Sequence, residues 1–566
     1  MKKKTSPILA VLLLIVVVVL MLAGKNVIEK YLPSEEKADI KEYYHLTEAG
    51  DTAVIVDAQM QDTTAKVVAG EIYVEYHFLH DVLNERFYWD GNENKLFYTT
   101  PEQITSIAAG SSDYYVAKEK KTEPYTIVYA DADKAYVALE FVKKYTNIDY
   151  EMFKEPNRLM ITKTWGKIDT ATLKKDSEIR IKGGIKSPIL RTVERNETVR
   201  IITKDKKWSK VCTEDGYIGY LKNNSLGKSE EKTLSSDYKE PTYTHLLKDE
   251  KINMAWHQVT NKQANNSLAQ VLSGTKGVNV ISPTWFYLND NQGGIASLAS
   301  SDYVNYAHQQ NIEVWALVSN LENPDVDTTT VLTHTSSREN LTNNLIAMAI
   351  QYNLDGINVD LESISKEAGE GYVQFIRELS IKCRNNNLVL SVDNYVPTDY
   401  TAFYDRKEQA CFADYIIIMG YDEHYKGSEE AGSVASINFV KNGIKDTLKE
   451  VPAEQVILAM PFYTRLWSET PAEGGKVTVS SEVVSMKAQQ TVLDNSGAVP
   501  KWSDKYGQNY IEYQKDGVTY KMWMEDEKSI EQKLKAAKNN KIAGTSVWKL
   551  DMESSSIWDT IIKYTN

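Results

Sequence analysis

The chain has 566 residues, enough for three or four domains with sizeable cores, and its formal net charge of −13 implies no broad basic surface, which argues against nucleic acid as a partner. Tyrosine (35) and tryptophan (11) are plentiful, and such rings serve either as core or as stacking platforms for sugars. Three scattered cysteines, Cys212, Cys383 and Cys411, suit neither a disulfide framework nor a metal site, and the eight histidines form no HxxxH or HxH pair, so buried thiols are expected, with no metal and no cofactor.

Lys2, Lys3 and Lys4 precede an apolar run from Pro7 to Gly24 that ends at Lys25. Its length, and the lack of an A-x-A site after it, predict an uncleaved signal anchor over residues 1–25, a transmembrane helix with the Lys cluster in the cytoplasm and the rest outside. Cleavage would instead give a secreted protein. Residues 26–50 are charged and weakly periodic, as a juxtamembrane spacer would be.

Residues 51–166 hold an internal repeat at an offset of 63: Ile72-Tyr73-Val74, Phe78-Leu79 and Lys95-Leu96-Phe97-Tyr98 answer to Ala135-Tyr136-Val137, Phe141-Val142 and Arg158-Leu159-Met160-Ile161. Each copy reads as a strand, a helix and a closing hairpin strand. The pattern resembles the repeats at the N-terminus of copper amine oxidases, which implies a stalk module or a weak wall-binding unit and carries no copper ligands. Short β-type runs with turn residues between them then fill residues 172–227. With Trp208, Gly216, Gly219 and Tyr220 in place, they resemble a bacterial Src-homology-3-like barrel, either a spacer or a contact for cell-wall peptides. Residues 228–246, rich in Ser, Lys and Glu, read as linker.

From 247 to 566 eight apolar β-type runs alternate with amphipathic helical stretches, the pattern of a (β/α)8 TIM barrel in an α/β domain. The fourth run, LDGINVDLES (Leu354–Ser363), is the unusual one. Side chains alternate along a strand, so Ile357, Val359 and Leu361 take one face and Asn358, Asp360 and Glu362 the other, with the two carboxylates roughly 7 Å apart. Barrel strands have no edge, so the polar face must point inward, with Glu362 at the C-terminal mouth where such barrels work.

The run Asp355-Gly356-Ile357-Asn358-Val359-Asp360-Leu361-Glu362 resembles the DGxDxDxE signature of glycoside hydrolase family 18, the chitinase-like family. Met419-Gly420-Tyr421-Asp422, Met460-Pro461-Phe462-Tyr463-Thr464-Arg465 and Trp548 match its later motifs in order. The resemblance implies substrate-assisted hydrolysis after N-acetylglucosamine, in which the sugar's 2-acetamido oxygen attacks its own anomeric carbon. Glu362 is then general acid and base, Asp360 holds the acetamide N–H, and Tyr421 bonds the acetamide oxygen. Trp548 floors the subsite and Asp422 meets a sugar hydroxyl. Asn358, Tyr463, Arg465, Trp285 and Trp256 are further substrate-binding candidates; the aromatics here, with Trp315 and Trp467, either line the cleft or pack the barrel.

Asn358 stands where the family usually has a second Asp, and a neutral neighbour predicts an Asp360 that ionises more easily. The same substitution marks a branch similar to spore-cortex and cell-wall N-acetylglucosaminidases, which favours peptidoglycan over chitin as substrate; a silent glycan-binding protein is the third reading. Residues 468–530 are expected as an insertion over the cleft or a mobile flap, with a hairpin at Asp516-Gly517. A monomer is expected.

Overall fold

The computed structural model describes residues 11–19, 30–48 and 50–565. Residues 11–19 are helical, and the remainder of the expected membrane-crossing segment lies outside the described residues, among which no helix is long and apolar enough to span a bilayer. The chain forms two compact units. One comprises Met1–Trp89, Ile107–Tyr115 and Lys120–Glu240, the other Asp90–Ser106, Val116–Glu119 and Pro241–Asn566.

In the first unit the repeat appears as two matching strands, Glu71–Glu75 and Lys134–Ala138, paired antiparallel with Val74 opposite Val137. Each runs into a short helix. Tyr73, Val74, Phe78 and Leu79 in one copy and Tyr136, Val137, Phe141 and Val142 in the other are all buried, so the repeated apolar positions are packing positions. A second seven-stranded sheet runs from Gly166–Leu173 to Leu226–Leu234 around Ile179, Val193, Val199, Val211 and Leu221. Its outermost pairing sets Gly166 opposite Leu234, so the sheet overruns residues 172–227 on both sides and takes the start of the expected linker.

The expected spacer at 26–50 is folded where it is described. Lys37 bridges to Ile189, and Tyr44 is 2% exposed with its hydroxyl donating to the Gly216 carbonyl at 3.0 Å. Two adjacent tyrosines are the reason: Tyr43 and Tyr44 join Ile55, Cys212 and Ile218 in one apolar cluster, outweighing the charges around them.

The second unit is a closed barrel of eight parallel strands: Ile252–His257 (β1), Val280–Leu288 (β2), Glu313–Ser319 (β3), Gly356–Asp360 (β4), Val389–Tyr395 (β5), Tyr415–Met419 (β6), Val456–Pro461 (β7) and Gly544–Trp548 (β8). Pairing of β8 with β1 closes the ring. These are the eight runs of the sequence. Helices between them start and stop on ordinary signals. Thr335–Tyr352 ends on Asn353 in the left-handed region (φ 55), and Glu527–Asn539 starts on a capping box between Asp526 and Ser529.

Alternation sorts the barrel residues into two cores. Met254, Trp256, Trp315, Leu317, Ile417 and Ala459 fill the interior, while Ala255, Ala316, Ile357, Val359, Ile416 and Leu458 face the helices. On β4 the aliphatic set therefore points outward, each side chain worth about 1.5–3 kcal/mol of burial, and Asn358 points inward, 0% exposed.

Between β7 and β8 lies a five-stranded antiparallel sheet over residues 463–524, with its own core of Leu466, Val484, Ile511, Met522 and Met524. It begins at Tyr463, five residues earlier than expected, so Tyr463 and Arg465 belong to the insertion and not to a barrel strand. Its base is tied down: Lys533 and Glu525 form a buried ion pair at 2.8 Å, and Glu525 also accepts from Gln508 and Ser529.

Candidate active site

The lower end of β4 is fixed by its Asp-Gly pair. Asp355 Oδ2 accepts the Val314 N–H at 2.8 Å and faces His308 Nε2 at 2.7 Å, locking β4 to β3. A side chain at Gly356 would meet the Val389 carbonyl at 2.7 Å and the Trp315 ring at 2.8 Å, so only glycine lets β5 approach. These two residues set the register that delivers the polar face.

Asn358 has every polar group of its amide engaged. Its oxygen accepts from the Trp256 indole N–H at 2.9 Å and the Ser282 hydroxyl at 3.1 Å; its nitrogen donates to Ser391 Oγ at 3.1 Å and Asp393 Oδ1 at 2.9 Å. Because an indole N–H can only donate, the amide oxygen must face Trp256 and the amide hydrogens must face Asp393. Trp256, expected at the cleft, is instead 1% exposed and serves as the floor beneath Asn358.

Two residues on, Asp360 is half-buried, with Oδ1 shut off from solvent and lacking a hydrogen-bond partner. Burial raises its pKa well above the usual carboxyl range, and the neighbouring Asp393, Glu362 and Glu322 raise it further. This corrects the expectation that Asn358 would let Asp360 ionise more easily: the carboxylate missing from β4 is replaced by one on β5.

Glu362 leaves the end of β4 at the C-terminal mouth, half-buried. Asn320, just past β3, holds its main chain at both ends, accepting its N–H at 2.8 Å and donating to its carbonyl at 2.9 Å. The Tyr395 hydroxyl donates to Glu362 Oε2 at 2.8 Å. Burial pushes the Glu362 pKa up, the Tyr395 hydrogen bond pulls it back, and the charges of Asp422 and Glu322 push it up again.

Around this pair the later motifs gather. Tyr421 follows β6 and meets Tyr463 edge to face at 6.2 Å, and the Tyr463 hydroxyl donates to Asp422 Oδ1 at 2.6 Å. Arg465 donates to Ser481 Oγ at 3.1 Å, which leaves its Nε buried without a partner. Trp548, at the end of β8, packs edge-on to Trp256 at 5.9 Å with part of its ring exposed.

Three other tryptophans do not reach the cleft. Trp285 is fully buried between barrel and helices, with its N–H on Asn265 Oδ1 at 2.8 Å; it shares the parity of Ile281, which already faces outward. Trp315 fills the interior near the start of β3, stacked on Tyr415 at 5.5 Å. Trp467 is 1% exposed within the insertion. Asn320, Tyr395 and Asp393 are residues the sequence reasoning missed. Among the described residues no group of three or more His, Cys, Asp or Glu is placed to hold a metal ion.

The model of glycosyl hydrolases family 18 matches residues 255–553, more than half of the chain. The chain belongs to this family. It is a glycoside hydrolase, and the family implies a glycan substrate. A second model, the copper amine oxidase N-terminal domain, matches residues 54–161. The family 18 domain is similar to the uncharacterized glycosylase YvbX of Bacillus subtilis (29% identical over 302 residues, 51% of this chain and 85% of YvbX). It is also similar to the cortical fragment-lytic enzyme of Bacillus anthracis (23% over 273 residues, 46% of this chain), of which it spans only 61%. The crystal structure of the Bacillus cereus spore cortex-lytic enzyme SleL shares the fold, with a TM-score of 0.50 at 20% identity, covering 60% of this chain and 77% of SleL.

Proposed function

We propose that this family 18 domain hydrolyses β-1,4 bonds after N-acetylglucosamine in peptidoglycan by the substrate-assisted, retaining route. The observation that carries the reading is Asp360 at the end of β4 with Glu362 two residues on, its main chain gripped by Asn320 and its carboxylate by Tyr395. A half-buried carboxyl with a raised pKa keeps its proton toward neutral pH, which suits a general acid. Glu362 protonates the leaving oxygen and afterwards takes a proton from the attacking water. Asp360 accepts the acetamide N–H and offsets the oxazolinium charge. Tyr421 donates to the acetamide oxygen, Trp548 stacks on the sugar, and Asp422, oriented by Tyr463, meets a hydroxyl.

Peptidoglycan is favoured by the company the domain keeps: a basic and apolar N-terminal segment, a repeat module and a small β-sheet domain. The names of the cortex-lytic relatives point the same way. In this reading the N-terminal segment anchors a monomer in the cell membrane with the hydrolase outside, and residues 172–227 touch the wall. The test is incubation of the purified protein with peptidoglycan and with chitin, followed by mass analysis. Release from chitin alone would assign the same chemistry to chitooligosaccharides, and binding without release from either would leave a glycan-binding protein.

A further inference from the structure

Asp393 has no place in the reaction as written, yet it is a carboxyl 3% exposed in the barrel interior, beside the residues that do the chemistry. The β4–β5 register sets Asn358 opposite Ser391 and Val359 opposite Val392, which makes Asp360 and Asp393 the next pair along. Neighbouring strands lie about 4.8 Å apart, so the two carboxyls stand side by side on the same inward face. Asn358 bonds one of them: its nitrogen donates to Asp393 Oδ1 at 2.9 Å, whereas Asp360 Oδ1 has no partner.

We propose that Asp360 and Asp393 act as a pair holding a single proton, with Asp393 the positioning residue that decides when Asp360 carries charge. The proposal rests on the role assigned to Asp360 above. In the free protein the donor faces Asp393, so Asp393 is the anion and Asp360 keeps the proton. When a sugar presents its acetamide N–H to Asp360, the preference reverses: the proton passes from Asp360 to Asp393, and Asp360 becomes the anion that the oxazolinium requires. One proton moves between two oxygens and nothing else changes.

The surroundings suit such a pair. Glu362 just past β4, Glu322 after β3, Tyr372 from the helix after β4, Tyr404 from the short helix after β5, and Tyr421 after β6 are the titratable groups that bear on it, and all are acids. Burial and these neighbours raise both aspartates well above the usual range, with the Asn358 hydrogen bond the one opposing effect on Asp393. Two adjacent buried carboxyls resist double ionisation.

The test uses the full chain and three proteins: wild type, Asp393→Asn, and the double variant Asn358→Asp with Asp393→Asn, which moves the second carboxyl back to β4. Two readouts are taken, the pH profile of kcat on a soluble chromogenic N-acetylglucosamine glycoside and the melting temperature as a function of pH. Folding raises both pKa values, so the pair's stabilising effect is full below the ordinary carboxyl value of about 4 and is lost as pH rises through the raised values.

Asp393→Asn should move the acid limb up by at least about one pH unit, because the buried Asp360 anion loses the neighbouring carboxyl that shares its proton. It should also flatten the fall in melting temperature, and the double variant should restore both. An acid limb and a melting slope identical to wild type overturn the pair, as does failure of both variants to fold, which would make Asp393 a purely structural carboxyl. If the wild type cleaves nothing, the functional reading fails, while the melting slope still decides whether the proton is shared.

Discussion

Asn320 holds Glu362 by its main chain from both sides, taking the N–H at 2.8 Å and giving its own amide hydrogen to the carbonyl at 2.9 Å. The acid therefore sits on a clamped backbone two residues beyond β4, with its side chain held separately by the Tyr395 hydroxyl. A general acid that must reach a leaving oxygen needs that placement, and small displacements of such a group cost rate steeply.

Removing the clamp should lower kcat more than it changes KM. Asn320→Ala is expected to reduce kcat about 10- to 100-fold, and Asn320→Asp, which keeps the acceptor and loses the donor, should fall between that variant and wild type. Steady-state kinetics on a soluble glycoside checks this. Wild-type kcat in the alanine variant would show that the strand end positions Glu362 unaided.

Tyr395 tunes the same acid. Its hydroxyl donates to Glu362 Oε2 and so favours the ionised form. Tyr395→Phe should raise the Glu362 pKa and carry the alkaline limb of the kcat profile to higher pH, because the acid keeps its proton longer. A limb that moves down, or not at all, would mean the hydroxyl does not act on the catalytic proton.

Asn358→Asp puts a carboxyl 2.9 Å from Asp393, where a neutral amide now donates. The added acid should raise the apparent pKa of the whole inward cluster and move the acid limb upward, with hydrolysis retained. The Trp256 and Ser282 donors still satisfy the new side chain, so folding should survive. An unmoved limb would remove Asn358 from the electrostatics of the site.

The insertion should be sensitive to its buried ion pair. Lys533→Met leaves Glu525 charged and buried, and is expected to cost about 3–5 kcal/mol. Pairing it with Glu525→Gln, which removes the charge and keeps an acceptor for the buried Gln508 or Ser529, should recover part of that loss. Thermal melts of the single and double variants decide it, and a mild single variant would show that solvent reaches Glu525.

The barrel was legible because its signal is periodic: eight apolar runs gave eight strands, and alternation on β4 gave each side chain its face. Trp285 was open to the same reasoning, since counting by twos from the outward Ile281 places it among the helices and not in the cleft. Asp393 was hidden for a different reason. LSVDNY reads as one more buried strand, and only the closed sheet sets its single carboxyl beside Asp360. Asn320 and Tyr395 act through contacts from β3 and β5 onto β4, which no local pattern in the chain records.

The most direct test is mass analysis of the fragments released from purified peptidoglycan by the wild type and by Glu362→Gln. Fragments ending in reducing N-acetylglucosamine from the wild type, and a loss of release of about 100-fold or more in the variant, are the predicted result. Fragments ending in the other sugar of the glycan, or release that persists undiminished without the Glu362 carboxyl, would contradict the account.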